Sequence, residues 1–249
     1  RYLRIDEAVC HAEQMMREGA DIIDVGGEST RPGYQSISEE EEIARAVPVI
    51  EAIKRHLDVP VSIDTRKGAV AEAALQAGAD LVNDVMGLKQ DPFLAQVIAR
   101  SGAACCLMHN RPEPVYDCFL KDVMKDLKES VAIAGEAGIA DDRIILDPGI
   151  GFGKTCEMNL EVLGRLGELK QLGYPLLLGA SRKSFIGQTL ELPVEERLEG
   201  TLAATVLGAW MGCAFVRVHD VKENVRAIRM TKAVLCAADH SAPGNRISD

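Results

Sequence analysis

The sequence is short of the features that would send it to a membrane, a secretory route or a nucleic acid. Its longest apolar region, TLAATVLGAWMGCAFV (201–216), falls short of a bilayer span, and its glycines break it into a buried helix followed by a strand. The opening residues RYLRIDEAVC hold no apolar signal core. Cys10, Cys105, Cys106, Cys118, Cys156, Cys213 and Cys236 are odd in number and include no C-x-x-C pair, so they read as reduced thiols of a cytoplasmic protein. Adjacent Cys105 and Cys106 read as strand filling, not metal chemistry. No five basic residues stand in a row and the formal net charge is −10, which excludes non-specific nucleic-acid binding. Any anionic small ligand must therefore be met by individually placed cations. No Pro/Gly/Ser-rich linker interrupts the chain, so residues 1–238 read as one domain and 239–249 (DHSAPGNRISD) as a flexible tail.

The chain does contain a repeated α/β pattern, in a length of 249 residues with 47% hydrophobic composition, enough for a large core. Seven runs rich in Val, Ile and Leu predict strands at 21–26, 61–64, 80–84, 103–109, 143–147, 175–181 and 214–220. Helical patterns lie near 5–18, 38–56, 68–77, 91–100, 118–137, 157–171, 195–211 and 221–237. EGAD, AGAD, SGAA and EAGIA recur just before strands, the Gly ending each helix and a small residue admitting the next strand. A chain that opens on a helix and carries seven strands is one strand short of a (β/α)8 barrel, so the first strand and its loop are expected upstream of Arg1. An open doubly wound sheet would gather ligand residues at one switch point. Here nearly every strand ends in a polar side chain: Asp24 and Glu28, Asp64, Asn83 and Asp84, His109, Asp147, Lys183, and Arg217 with His219. In a closed barrel these ends share one cup.

GGESTRPG (26–33) follows the first strand and supplies glycines, hydroxyls and Arg31, the materials of a phosphate-holding βα loop; an ordinary Gly-Pro turn is the plainer alternative. LDPGIGFGKT (146–155) ends like a P-loop, but Pro148 stands where that motif needs its first glycine, and Pro has no amide hydrogen to offer a phosphate. A mobile ligand-shaped loop, with Asp147 at the strand end and Phe152 as a flat wall, is the better reading. Asp64 and Asp147 suit acid–base work or the binding of an amino-pyrimidinone ring, whose ring N–H and exocyclic amine donate in parallel to one carboxylate. Binding is favoured, because no nucleophile is partnered to a base. Asn83 matches the same edge. VRVHD (216–220) predicts Arg217 and His219 on the inward face of the last strand, with Asp220 capping the helix beyond. An inward Arg calls for an anionic ligand.

GGESTRPG, SIDT, ND, LDPGIGFGK, SRKS and RVHD occur in this order, and from about Asp6 to Ala237 the chain resembles the dihydropteroate synthase family of folate biosynthesis. The resemblance implies a (β/α)8 TIM barrel, usually a homodimer. Its members are transferases that join p-aminobenzoate to 6-hydroxymethyl-7,8-dihydropterin diphosphate with Mg2+ and are sulfonamide targets. It implies pterin binding by Asp64, Asn83, Asp147, Lys183 and Arg217, and diphosphate binding by Thr30, Arg31, Arg217 and His219. For the aminobenzoate it implies Pro32, Phe152, Lys183 and Ser184, the last at a helix start. The catalytic group would be Asp147, Lys183, Arg217 and His219. The family's NxTPDSF loop, which supplies the metal-proximal asparagine, does not occur in this sequence, so no metal ligand is assigned and the chain as written is expected to be inactive. Two other functions share the pattern: a methyltetrahydrofolate:corrinoid methyltransferase, which has no use for Arg31, Arg217, His219 or SRKS, and a non-catalytic barrel.

Overall fold

The computed structural model describes residues 5–28 and 36–240. Helix α1 (Ile5–Glu18) leads into strand β1 (Ile23–Val25), and helix and strand then alternate: α2 (Glu39–His56), β2 (Val61–Asp64), α3 (Gly68–Gln76), β3 (Leu81–Asp84), α4 (Pro92–Ser101), β4 (Ala104–Met108), α5 (Phe119–Ala137) and β5 (Ile144–Asp147). After β5 come α6 (Cys156–Gly164), α7 (Leu166–Leu169), β6 (Leu177–Leu178), α8 (Ser184–Leu190), α9 (Leu198–Trp210), β7 (Phe215–Val216) and α10 (Val221–His240). Local chemistry explains several boundaries. Ser38 caps α2 by accepting from the Glu41 amide at 3.2 Å, and Asp91 caps α4 ahead of Pro92 by accepting from the Phe93 amide at 2.9 Å. Gly102 and Gly138 end α4 and α5 in the left-handed conformation.

All strand pairs are parallel and follow chain order. Strands β1 to β5 form one sheet, β6 pairs with β7, and a bridge from Leu146 to Leu176 joins the two. Helix α10 packs on α9 and returns to α1, so the helices ring the strands as a (β/α) barrel requires. Among the described residues no ladder joins β7 to β1; side chains span that seam instead.

Strands β6 and β7 are two residues each, much shorter than the expected 175–181 and 214–220, and α8 starts at Ser184, where the resemblance implied a helix start that the residue pattern alone did not give. The expected helix 157–171 is divided at Arg165, and α10 runs on to His240, past the expected start of the tail; residues 241–249 lie outside the described residues.

Register decides which side chains enter the barrel, because paired residues in a parallel ladder share a face. Asp24 pairs with Ser62, Asp64 with Asn83, Asn83 with Cys106, and Met108 with Asp147. Ser62, Asp64, Asn83 and Asp147 thus line one inner surface, while Val61, Ile63, Val82 and Leu146 point to the helices and are fully buried. A strand buried on both faces needs no polar alternation, which is why these strands read as continuous apolar runs with a polar end.

Candidate active site

At the carboxyl end of the barrel the inward set converges. Arg217, just past β7, places Nη2 2.7 Å from Asp64 Oδ2 and 2.7 Å from Asp24 Oδ2, tying the last strand to the first two. Asp64 is buried, and its Oδ1 has no hydrogen-bond partner among the described residues. Burial pushes the Asp64 carboxyl up to about 7, with Arg217 pulling the other way and Asp24 adding repulsion. The Arg217 guanidinium is held above its usual value, first by Asp24.

Asp147 is also buried and raised by burial, with Lys183 opposing; one of its oxygens accepts from the Gly149 amide at 2.7 Å. Lys183 donates to the Ile150 carbonyl and holds its ammonium 4.8 Å above the Phe152 ring centroid. Burial lowers it to about 8, against the pull of Asp147 and Asp64. Gly179 faces the same pair: a Cβ there would lie in van der Waals contact with Asp147 Oδ2 and Lys183 Nζ, at 3.5 and 3.7 Å. Asn83 is buried at the end of β3 beside Asp64, and among the described residues nothing hydrogen-bonds its side-chain amide.

Other expected groups take different positions. Asp84 faces outward and accepts from the amides of Met86 and Leu88 at 2.8 and 2.6 Å, so it shapes the following loop. Glu28 takes Arg66 at 3.1 Å and Lys67 at 2.8 Å, and Lys67 also meets Glu42 at 2.7 Å, fastening the start of α3. Arg182, in a left-handed backbone conformation, grips Asp220 through two bonds of 2.9 and 2.5 Å. The Asp220 side chain is therefore an ion-pair partner, and α10 begins instead on its backbone carbonyl, which accepts from the Asn224 amide at 3.2 Å. The strand ladder ends at Val216, before both Arg217 and His219; both are exposed, and His219 is hydrogen-bonded to Ser181 at 2.9 Å. Ser184 is exposed as the first residue of α8. Thr30, Arg31 and Pro32 lie outside the described residues.

The loop after β5, expected to be mobile, is bridged by one lysine. Lys154 donates to Gly149 O at 2.9 Å, to Phe152 O at 3.0 Å and to His109 Nδ1 at 2.8 Å. His109 lies 3.1 Å from Asp126 through Nε2, and burial beside Lys154 lowers it to about 3, so it is neutral. Sequence reading missed the parts of Lys154, Asp126 and Ser181, and it named Asp24 only as a polar strand end. Among the described residues no group of three His, Cys, Asp or Glu could hold a metal, and Arg217 already occupies the space between Asp24 and Asp64. The described side chains do not fit a magnesium site of their own.

Comparison with known proteins follows the same outline. The family described as pterin binding enzyme matches residues 1–219. A dihydropteroate synthase of Clostridium beijerinckii is 59% identical over 93% of this chain and 86% of its own length, and one of Bacillus subtilis is 52% identical over 94% and 82%. The solved structure of the dihydropteroate synthase of Clostridium difficile in the presence of pteroic acid superposes with a TM-score of 0.92 at 50% identity, covering 94% of this chain and 89% of that one.

Proposed function

The chain belongs to the pterin binding enzyme family, and on that premise we propose how its residues divide the work of the dihydropteroate synthase reaction. The activity joins 6-hydroxymethyl-7,8-dihydropterin diphosphate to p-aminobenzoate, giving 7,8-dihydropteroate and diphosphate. The observation that carries the assignment is the buried Oδ1 of Asp64, unpartnered among the described residues, beside Asn83 and near the Asp147–Lys183 pair. Unsatisfied buried acceptors are rare and call for a donor that binds there. A pterin edge carries such donors.

Asp64, Asn83, Asp147 and Lys183 bind the pterin, with Arg217 at its rim. Arg217 and His219, together with Thr30 and Arg31, hold the diphosphate. Phe152, Pro32, Lys183 and Ser184 receive the aminobenzoate. In the reaction the bond between the exocyclic methylene and the diphosphate oxygen breaks, its electron pair leaving with the diphosphate. The amine nitrogen of the aminobenzoate closes on the methylene and gives up a proton. Arg217 and His219 meet the charge that grows on the leaving group, and carboxylates beneath the ring favour the cationic pterin. Asp147, Lys183, Arg217 and His219 are thus the catalytic set. Magnesium is implied by the resemblance alone, and the described side chains offer it no site.

Seven free thiols, with Cys10, Cys118 and Cys236 exposed, support a cytoplasmic setting. No helix of the described residues is long and apolar enough to cross a membrane. Exposed Val206, Leu207, Trp210, Met230 and Val234 on α9 and α10 support a homodimer through that face. Light scattering of Trp210→Glu tests it: a monomer is expected, and an unchanged mass rejects this face. For the activity itself, the full-length protein supplied with both substrates should release diphosphate and form dihydropteroate, with sulfonamide competing against p-aminobenzoate. No product would overturn the assignment.

A further inference from the structure

We propose that Lys154 is a positioning residue: held by the His109–Asp126 pair, its ammonium fixes the loop from Gly149 to Gly153 and so sets the Phe152 wall against which the aminobenzoate packs. This rests on the reading of Phe152 given above.

Three acceptors converge on this one side chain. Gly149 O and Phe152 O lie at the two ends of the loop, 2.9 and 3.0 Å from Nζ, and His109 Nδ1 anchors the group to the end of β4 at 2.8 Å. Burial lowers Lys154 to about 7, and in its ammonium form it has three N–H donors and satisfies all three acceptors, whereas the neutral amine has two. For His109 to accept at Nδ1 it must carry its proton on Nε2, which faces Asp126 at 3.1 Å. Asp126 in turn is gripped by Arg111 through bonds of 2.6 and 3.2 Å. Tyr116, lying 4.5 Å beneath the Arg111 guanidinium, donates to Gly153 O at 2.7 Å. The loop after β4 thus grips the loop after β5, with Lys154 as the charged link between them.

The consequence reaches the reacting groups without Lys154 touching them. The loop it closes presents Ile150 O to Lys183 and places the Phe152 ring under the Lys183 ammonium. Asp64 and Asn83, across the cup on β2 and β3, are not part of this link, and Asp147 meets it only through the Gly149 amide. The two substrates should therefore feel the loss of Lys154 unequally.

The test is Lys154→Met in the full-length protein, with His109→Gln as a milder change on the same link. Losing a charged hydrogen-bonding group is worth roughly tenfold or more in affinity. The expected result is a rise of about that size in KM for p-aminobenzoate, with pterin diphosphate affinity by calorimetry held within about threefold and kcat changed less than KM. Hydrogen exchange of the peptide spanning 148–155 should accelerate while the strand amides keep their rates. Equal losses for both substrates, a fall in kcat alone, or unchanged loop exchange in both variants would overturn the proposal. If the unsubstituted protein made no dihydropteroate, the functional reading would fail by itself, and the exchange measurement would still decide whether Lys154 fixes the loop.

Discussion

Arg217 and Asp64 stand 153 residues apart in the chain and 2.7 Å apart at the mouth of the barrel. The same Nη2 serves Asp24, so one guanidinium separates two carboxylates that would otherwise face each other. Its side chain is 45% exposed, which leaves the outer part of the group open to an incoming anion.

Arg217→Ala should therefore act twice. It removes a cation from the leaving diphosphate and leaves Asp64 buried without its partner. Loss of one such stabilising group lowers turnover by roughly 10²–10³-fold. Initial rates of diphosphate release will show whether the fall is that large, and a change under tenfold would place the diphosphate elsewhere. Arg217→Lys should recover little, because both carboxylate bonds come from the single nitrogen Nη2 and an ammonium lacks the further guanidinium N–H groups left for the diphosphate.

Asp64 gives a prediction with a sign. Its folded value is raised to about 7 from an ordinary 3.8, mainly by burial. The stability that its protonation contributes is thus complete below about 4 and lost as pH rises through about 7. Asp64→Asn mimics the protonated form, so the variant and the unsubstituted protein should melt together near pH 4. At pH 8 the variant should be the more stable, by on the order of 2 kcal/mol. Pterin affinity should fall in the same variant, since an amide cannot accept two parallel bonds. Melting curves at the two pH values decide the first point; equal melting temperatures at pH 8 would show that Arg217 cancels the burial.

Much of this arrangement was legible before any coordinates. The parallel order followed from alternating apolar runs and helices, and Asp64, Asn83, Asp147 and Arg217 followed from their places at strand ends. Asn83 and Asp84 show the limit of that reading. They are neighbours in sequence, but only register against Asp64 and Cys106 reveals which of them faces inward. His219 was expected inside because it lies two residues beyond Arg217, a spacing that holds only while the strand continues, and β7 stops at Val216. Helix α8 was placed only by the resemblance, through a helix start at Ser184, because it is seven residues long and starts after Lys183 with no side-chain cap. Lys154 was legible only as a failed P-loop, since its three acceptors come from two strands' loops and no linear spacing announces them.

The paired cations of SRKS should separate cleanly under mutation. Arg182 is bound twice to Asp220, its amide donates to Thr201 Oγ1 at 3.0 Å and its carbonyl accepts from Arg197 at 3.1 Å, so it is part of the scaffold. Lys183 makes one bond to a carbonyl and otherwise faces the cup. Its folded value, lowered to about 8, means that the stability tied to its neutral form is present above the unfolded value of 10.5 and lost as pH falls through about 8. At pH 7 the charged Lys183 opposes folding. Lys183→Met should hold or raise the melting temperature while turnover falls by roughly 10²-fold, whereas Arg182→Ala should lower the melting temperature and change KM little. The reverse pattern in paired melting and rate measurements would exchange their roles.

Gly149 carries the last test. Its φ of 69° lies in the left-handed region, and a Cβ there would run into the His109 carbonyl oxygen. Gly138 also has a positive φ, 90°, but a Cβ there meets nothing within 4 Å. Alanine at either site meets the backbone penalty of about 1–2 kcal/mol, and only at Gly149 is there a collision as well. The collision cannot be relieved locally, because the Gly149 amide is bonded to Asp147 and its carbonyl to Lys154. Gly149→Ala should therefore displace Asp147 and the loop together, with loss of pterin binding and a stability loss of roughly 3 kcal/mol or more. Gly138→Ala, at the far end of α5, should lose only the backbone component and keep full activity. Denaturant unfolding and calorimetric titration of the two variants side by side separate strain at the site from strain in general. Similar losses in both would mean that the close packing of β4 against the Asp147 turn is not what holds the carboxylate in place.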